Sequence, residues 1–355
     1  CEAMTGSGGW PLTVVLTPDR QPLFAGTYFP PRSDMRGEGL LDILMALNAL
    51  WERDGSHCAE QAQRVVQAVA QAMEVSQDAP GQKWIDAVHE ALASVYDSEF
   101  GGFGHSPKFP RHSALLFLLR EAQARRGDAE AMLRNTFNRM ARGGICDQIG
   151  GGFMRYAVDR KWLVPHYEKM LGENALLALA YTQAYRQFGS DRDADTARHI
   201  FDWALREMLM PEGGFASAQD ADSSEGEGAF YLWTPEAVKA VLGEARGEAA
   251  CAYLNIKERG SLPHVALRAR PPEDLPELVT ALRQARAQRP MPSLDDQMLT
   301  AWNAWMVLAL ANASTILNDT SYLEQAKRTA ECIQTRMMDA DGRLFVSYRE
   351  GKAQG

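Results

Sequence analysis

Apolar residues recur at intervals of three and four along most of this 355-residue chain, the spacing that lines one face of an α-helix. Trp84, Val88, Leu92 and Val95 form one such stripe. Met132, Leu133, Thr136, Phe137 and Met140 form another, and Ala197, Ile200, Phe201, Leu205 and Met208 a third. Leu176 to Phe188 and Met298 to Leu317 are apolar around most of their circumference, which predicts helices buried on most sides.

The triplet Gly-Gly-Phe separates these runs at 101–103, 151–153 and 213–215, and a degenerate copy, Gly342-Arg343-Leu344-Phe345, follows at about twice the preceding interval. One further copy is therefore expected to have drifted between them. A period of roughly 50 to 65 residues holds two helices and their loops, so each repeat reads as an αα-hairpin. Short polar links near 126–128, 189–191 and 318–320 alternate with long loops at 97–110, 143–172 and 211–233. Antiparallel helices put alternate connections at opposite ends, so the long loops are expected on one end, around a funnel ringed by hairpins. Loops grouped in that way commonly carry function. The glycines permit positive φ at helix exits and each Phe anchors its loop below, a scaffold role.

The first eighty residues differ. Pro11 to Leu16 and Leu23 to Phe29 read as a hairpin around a turn at 18–22. A helix faced by Leu40, Leu41, Leu44, Leu47 and Trp51 follows, then a second helical run from Ala59 to Met73 and a break at 78–81. The predicted domains are 1–80 and 81–355. Composition narrows the classes: a net charge of −9 and the absence of any membrane-length apolar run argue against nucleic acid or membrane as partners. Cys1, Cys58, Cys146, Cys251 and Cys332 are scattered and odd in number, which predicts neither a disulfide framework nor a zinc site, and a reducing, cytoplasmic setting.

Several motifs resemble the spermatogenesis-associated protein 20 family: Thr5-Gly6-Ser7-Gly8-Gly9-Trp10-Pro11-Leu12 with Gly26-Thr27-Tyr28-Phe29, Pro107-Lys108-Phe109-Pro110, Asp147-Gln148-Ile149-Gly150, and the run from Trp162 to Leu171. Asp220-Ala221-Asp222-Ser223 and Asp295-Asp296 before Trp302-Asn303 extend the match over nearly the whole chain. The resemblance implies a mainly α architecture, an (α/α)6-toroid-like array of hairpins similar to N-acylglucosamine 2-epimerases and six-hairpin glycosidases. It also implies that 1–80 is the C-terminal half of a thioredoxin-like domain. Against that pattern both ends look truncated, so an unclosed ring or an exposed strand edge is expected, unless the missing thioredoxin-like portion or another chain completes it. Trp10-Pro11 falls where that fold places a cis-proline; without a partner dithiol, a redox-inactive docking module is expected.

The chemistry-bearing candidates lie in the long loops. His166 and Glu168 are the sharpest pair, since two proton-transfer groups flanking a substrate carbon permit epimerisation or isomerisation. An irregular path is expected to turn both toward the funnel floor. Asp147, Asp220 and Asp222 are candidate acids or bases beside them, because paired carboxylates also serve glycoside hydrolysis. Arg155, Trp162, Tyr167, Asp296, Trp302 and Asn303 are candidate substrate-binding residues, the aromatics as platforms for a sugar ring. Asp220-x-Asp222-x-Ser224 imitates the start of a calcium loop, but Glu225 stands where Gly is needed and Tyr231 where the bidentate Glu belongs, so no metal and no cofactor is predicted. The expected function is a carbohydrate-active enzyme of epimerase, isomerase or hydrolase type, acting on a small sugar or sugar derivative. The alternative is a non-catalytic sugar- or protein-binding scaffold.

Overall fold

The computed structural model describes residues 2–6, 8–9, 11–35, 37–72, 81–125, 127–257, 260–266 and 269–355. The Trp10-Pro11 bond and Cys1 lie outside them. Two compact units divide the chain, Cys1–Gly81 and Gln82–Gly355.

In the first unit a short helix α1 (Glu2–Thr5) precedes strands β1 (Thr13–Leu16) and β2 (Pro22–Gly26), which pair antiparallel with a register slip at Val15/Leu16. The turn closes where the Thr17 amide donates to Gln21 O at 2.8 Å. Helix α2 (Leu40–Ala72) is broken at Asp54, which is extended at φ −154°. The Asp54 carboxylate accepts from the His57 amide at 3.1 Å, restarting the helix as an N-cap does. The two helical runs read from the sequence are thus two helices across a kink.

The second unit is an array of helical hairpins. Its helices are α3 (Gln82–Val95), α4 (His112–Gln123), α5 (Ala129–Arg142), α6 (Leu171–Phe188), α7 (Asp191–Trp203), α8 (Pro235–Leu242), α9 (Glu244–Tyr253), α10 (Leu275–Arg286), α11 (Thr300–Ile316) and α12 (Thr320–Arg336). Helix α7 runs on into a π turn at Ala204–Met208. The pairs α4–α5, α6–α7 and α11–α12 are hairpins, and their first members pack side by side in the order α4, α6, α11. One core runs through them, from Leu115, Leu118 and Phe137 through Tyr181 and Phe201 to Met306 and Leu310. This is the mainly α array of hairpins that the spacing and the loop alternation predict, with the toroid-like arrangement that the resemblance implies. No described helix is long and apolar enough to cross a membrane.

Two stretches depart from expectation. The spacing predicts one apolar face on α3, and on that face Trp84, Val88 and Val95 stay exposed while Leu92 packs on the core. An apolar stripe records a capacity for burial, and a neighbour must be there to use it. The interval expected to hold a drifted repeat instead carries three short helices, α8 to α10, around a small core of their own with Trp233, Val238, Leu278 and Leu282.

Short strands stitch the long loops together: β3 (Tyr156–Ala157), β4 (Pro165–His166), β5 (Lys169–Met170), β6 (Ala218–Gln219), β7 (Asp222–Ser223), β8 (Gly226–Glu227), β9 (Leu294–Asp295), β10 (Met298–Leu299), β11 (Ser347–Arg349) and β12 (Lys352–Gln354). Lys108 bridges Ala157, β5 pairs with β6, β6 with β9, and β10 with β11. Loops 97–110, 143–172 and 211–233 therefore meet at one end of the array, the end where α4, α6 and α11 begin. Each Gly-Gly-Phe closes a turn inside a β-bridge, at Tyr96/Phe103, Cys146/Phe153 and Leu209/Phe215. The three phenylalanines are buried. Gly102 and Gly152 sit at φ 77° with the rings of Trp162 and Trp203 against them, where a Cβ would lie 2.4 and 2.7 Å from ring carbons. Only glycine meets both demands.

Candidate functional site

Two buried ionic clasps floor the loop end. Asp97 and Asp147 each stand four residues before a Gly-Gly-Phe triplet, and each accepts two backbone N–H bonds from its turn, Asp97 from Glu99 and Phe100, Asp147 from Ile149 and Gly150. A lysine that leads into the next inner helix completes each clasp. Lys108 donates to Asp97 and Gly101 O, both at 2.8 Å, and Lys169 to Asp147 at 2.8 Å and Gly151 O at 2.7 Å. Arg286 adds a two-pronged contact to Asp147 at 2.9 and 2.8 Å. Burial alone would raise the Asp147 pKa, but the charges of Arg286 and Lys169 outweigh it and hold the carboxyl far below the ordinary range.

This corrects the reading of Asp147 as an acid or base. It is 4% exposed, fully hydrogen-bonded and locked in its charged form, so it has neither access nor a proton to give. Trp162 is corrected too: it is wholly buried at φ 67°, stacked on Gly102, with its indole N–H donating to Phe100 O at 3.0 Å. Asn303 is a scaffold clamp. Its amide accepts from the Phe215 N–H at 2.7 Å and donates to Phe215 O at 3.0 Å, as Asn174 does to Phe153 at 2.6 and 2.9 Å.

Above the clasps lies a half-exposed polar cluster. His166 on β4 is the cross-strand partner of Tyr156 on β3, and their rings stack at 5.2 Å. Tyr156 in turn meets Phe109 at 4.8 Å. The imidazole lies between two carboxylates, with Nδ1 at 3.2 Å from Glu227 Oε1 and Nε2 at 3.8 Å from Glu168 Oε2. Arg155 holds Glu168 at 2.9 Å. His166 ends β4 and Glu168 lies in the irregular link before β5, and the imidazole and the carboxylate reach the same side there. Tyr167 points to the other side and stacks on Tyr231 at 5.8 Å over Gly228.

The carboxylate that joins His166 is Glu227, rather than Asp147, Asp220 or Asp222. Asp222 is the cross-strand partner of Glu227 in the β7–β8 hairpin, and it is exposed. Asp220 is exposed as well and accepts from Ser293 Oγ at 3.3 Å. Asp296 pairs with Arg349 at 2.7 Å, and since α11 begins at Thr300, neither Asp295 nor Asp296 caps it. Trp302 lies half-buried over Gly172 in the first turn of α6. Next to Gly172, Glu173 accepts from His112 Nδ1 at 2.9 Å, joining the first turns of α6 and α4. Nothing in the residue pattern signals the Glu227 contact, which spans 61 residues. The clasp lysines, by contrast, are visible as a repeated Asp and Lys around the first two Gly-Gly-Phe turns. A separate 830 Å³ cavity, lined by Tyr185, Arg186 and Asn312, lies at the opposite end of the inner helices.

Residues 1–70 match the family model Thioredox_DsbH, "Protein of unknown function, DUF255". The chain is 34% identical over 403 residues to spermatogenesis-associated protein 20 of Homo sapiens, covering 99% of this chain and 51% of that protein. It is likewise 34% identical to spermatogenesis-associated protein 20 of Rattus norvegicus, covering 97% and 50%. Among solved structures it is similar to a family 76 glycoside hydrolase from a bovine Bacteroides thetaiotaomicron strain (11% identity, 75% of this chain and 46% of that one, TM-score 0.46). It is also similar to the cellobiose 2-epimerase of Bacillus thermoamylovorans B4167 (11% identity, 77% and 94%, TM-score 0.35). The chain spans about half the length of the curated relatives it matches. Along nearly all of its own length the chain is similar to the spermatogenesis-associated protein 20 of both species.

Proposed function

We propose that the loop end of the hairpin array is a carbohydrate site and that His166 moves a proton at a carbon of the sugar, as an epimerase or isomerase requires. The observation that carries this reading is the setting of His166: half-exposed, stacked on Tyr156, and bracketed by Glu227 and Glu168 at its two ring nitrogens. An imidazole in that position can take up a proton as base, because either carboxylate stabilises the cation that forms. Phe109, exposed beside Tyr156, offers an apolar ring face of the kind that receives the C–H face of a sugar.

Hydrolysis fits less well. It needs two carboxyl groups facing the glycosidic bond, one of them protonated. Here Arg155 neutralises Glu168, and Glu227 faces an imidazole. In the binding-only alternative the same surface receives a sugar or a protein and no proton moves.

Incubating the chain with aldohexoses, N-acylhexosamines and disaccharides in D2O, and following the ring C–H signals by NMR, tests the reading. One sugar is expected to exchange its C2 hydrogen for deuterium, and His166→Gln is expected to abolish that exchange with the helical circular dichroism unchanged. A sugar that binds without exchange, or exchange that survives His166→Gln, overturns the assignment.

A further inference from the structure

Away from that cluster, the last turn of α5, the loop around Lys161, Asn255 and the stretch His264 to Ala266 enclose a cavity of 240 Å³. Arg139, Arg142 and Lys161 line it together with Phe100, Leu163 and Val265. Among the described residues none of these three cations forms an ion pair. Arg139 and Lys161 lie against the Phe100 ring at 5.6 and 5.5 Å. The neighbouring Arg160 is different, being tied to Asp97 at 2.7 and 2.8 Å.

Arg142 donates to Ala266 O at 2.5 Å, while its Nε is buried with no partner. A buried donor left unmet costs about 1–3 kcal/mol, so such groups are normally satisfied. Burial and the nearby guanidinium groups of Arg192 and Arg139 all push the Arg142 pKa down, as expected where positive charge is uncompensated. His264 is held by its neighbours, with Nδ1 3.1 Å from Leu262 O and Nε2 2.7 Å from the Asn255 amide nitrogen. The C-terminus of α5 supplies only about half a negative charge, which leaves the cavity positive.

We propose that this cavity binds a small organic phosphate, its phosphoryl oxygens taken by Arg142 and Lys161 and its apolar or planar body laid against Phe100, Leu163 and Val265. Guanidinium groups match phosphate oxygens in geometry and charge. The volume equals that of about eight waters at ~30 Å³ each, enough for a ligand the size of phenyl phosphate. The proposal does not depend on the reading of His166.

Calorimetric titration of the chain with phenyl phosphate and with inorganic phosphate, at ionic strength fixed with sodium chloride, tests it. Saturable 1:1 binding is expected, tighter for phenyl phosphate. Loss of one charge-assisted contact is expected to weaken it at least about tenfold in Arg142→Gln and in Lys161→Gln, with no change in Lys327→Gln on α12. Lys161 is exposed, so its variant keeps the fold and decides the matter if Arg142→Gln does not. Heats that never saturate, or equal affinity in the native chain and Lys161→Gln, overturn the proposal.

Discussion

Replacing Asp147 by Asn removes one charge and almost no volume, and the structure says what is left behind. Arg286 and Lys169, 2% and 0% exposed, would face each other with their shared counter-charge gone. Breaking a buried pair from one side costs about 3–5 kcal/mol. Because two cations lose the same partner, the upper end, about 5 kcal/mol, is expected, a large part of the 5–15 kcal/mol that holds a typical domain. In thermal unfolding that corresponds to a fall of about 10–20 °C. The loss should vary with pH in one direction. The folded pKa of Asp147 lies far below its unfolded value of about 3.9, so its contribution is whole above that value and is lost as pH falls through the folded pKa. The gap between native and Asp147→Asn chains should therefore be flat from about pH 5 to 8 and narrow only below about pH 4. Urea unfolding followed by circular dichroism measures it. A cost under about 1 kcal/mol, with turnover of an identified substrate nonetheless lost, would refute the scaffold assignment and return Asp147 to the chemistry. Asp97→Asn should cost less, because Arg160 is 41% exposed and can turn to water.

Asn174→Ala deletes both hydrogen bonds to the Phe153 backbone and should destabilise the chain by about 2–4 kcal/mol, read as a lower urea midpoint at unchanged slope. Burial raises the Asp193 carboxyl to about 6, above an unfolded value of about 3.9, so its relative stability is present at low pH and lost as pH rises through about 6. Asp193→Asn should accordingly gain up to about 2 kcal/mol at pH 8 and nothing at pH 4, which denaturation at the two pH values compares.

Much of the fold was legible because it is written in short-range patterns. The stripes of α5 and α7 and the burial of α6 follow from spacing, and the clustering of long loops follows from alternation of loop length; α11, expected to be buried on most sides, leaves Trp305 and Leu308 exposed. What misled was residue type taken alone. Asp147, Trp162 and Asn303 are residues a sugar site uses, but they are also what a repeat uses to pin its turns. The sequence held the correction: Asp-x-x-x-Gly-Gly-Phe occurs at Asp97 as well as Asp147, and Asn sits five residues after both Lys169 and Met298. A group needed in every repeat belongs to the scaffold, whereas an active site is needed once. Met298 supports this, since it occupies the position of the clasp lysine where the third turn carries no Asp. The pairing of His166 with Glu227 could not be read, because it depends on how far the β7–β8 hairpin folds back across another loop.

The central claim is that ligand meets protein at His166. Two-bond ¹H–¹⁵N correlation spectra resolve the imidazole nitrogens of the seven histidines, and His166→Gln identifies one set of signals. Titration with the sugar that exchanges deuterium, or with each member of the panel, should shift the His166 nitrogens saturably and leave His57, His199 and His264 unmoved. Saturable sugar binding that leaves His166 unshifted while another histidine moves would contradict the account.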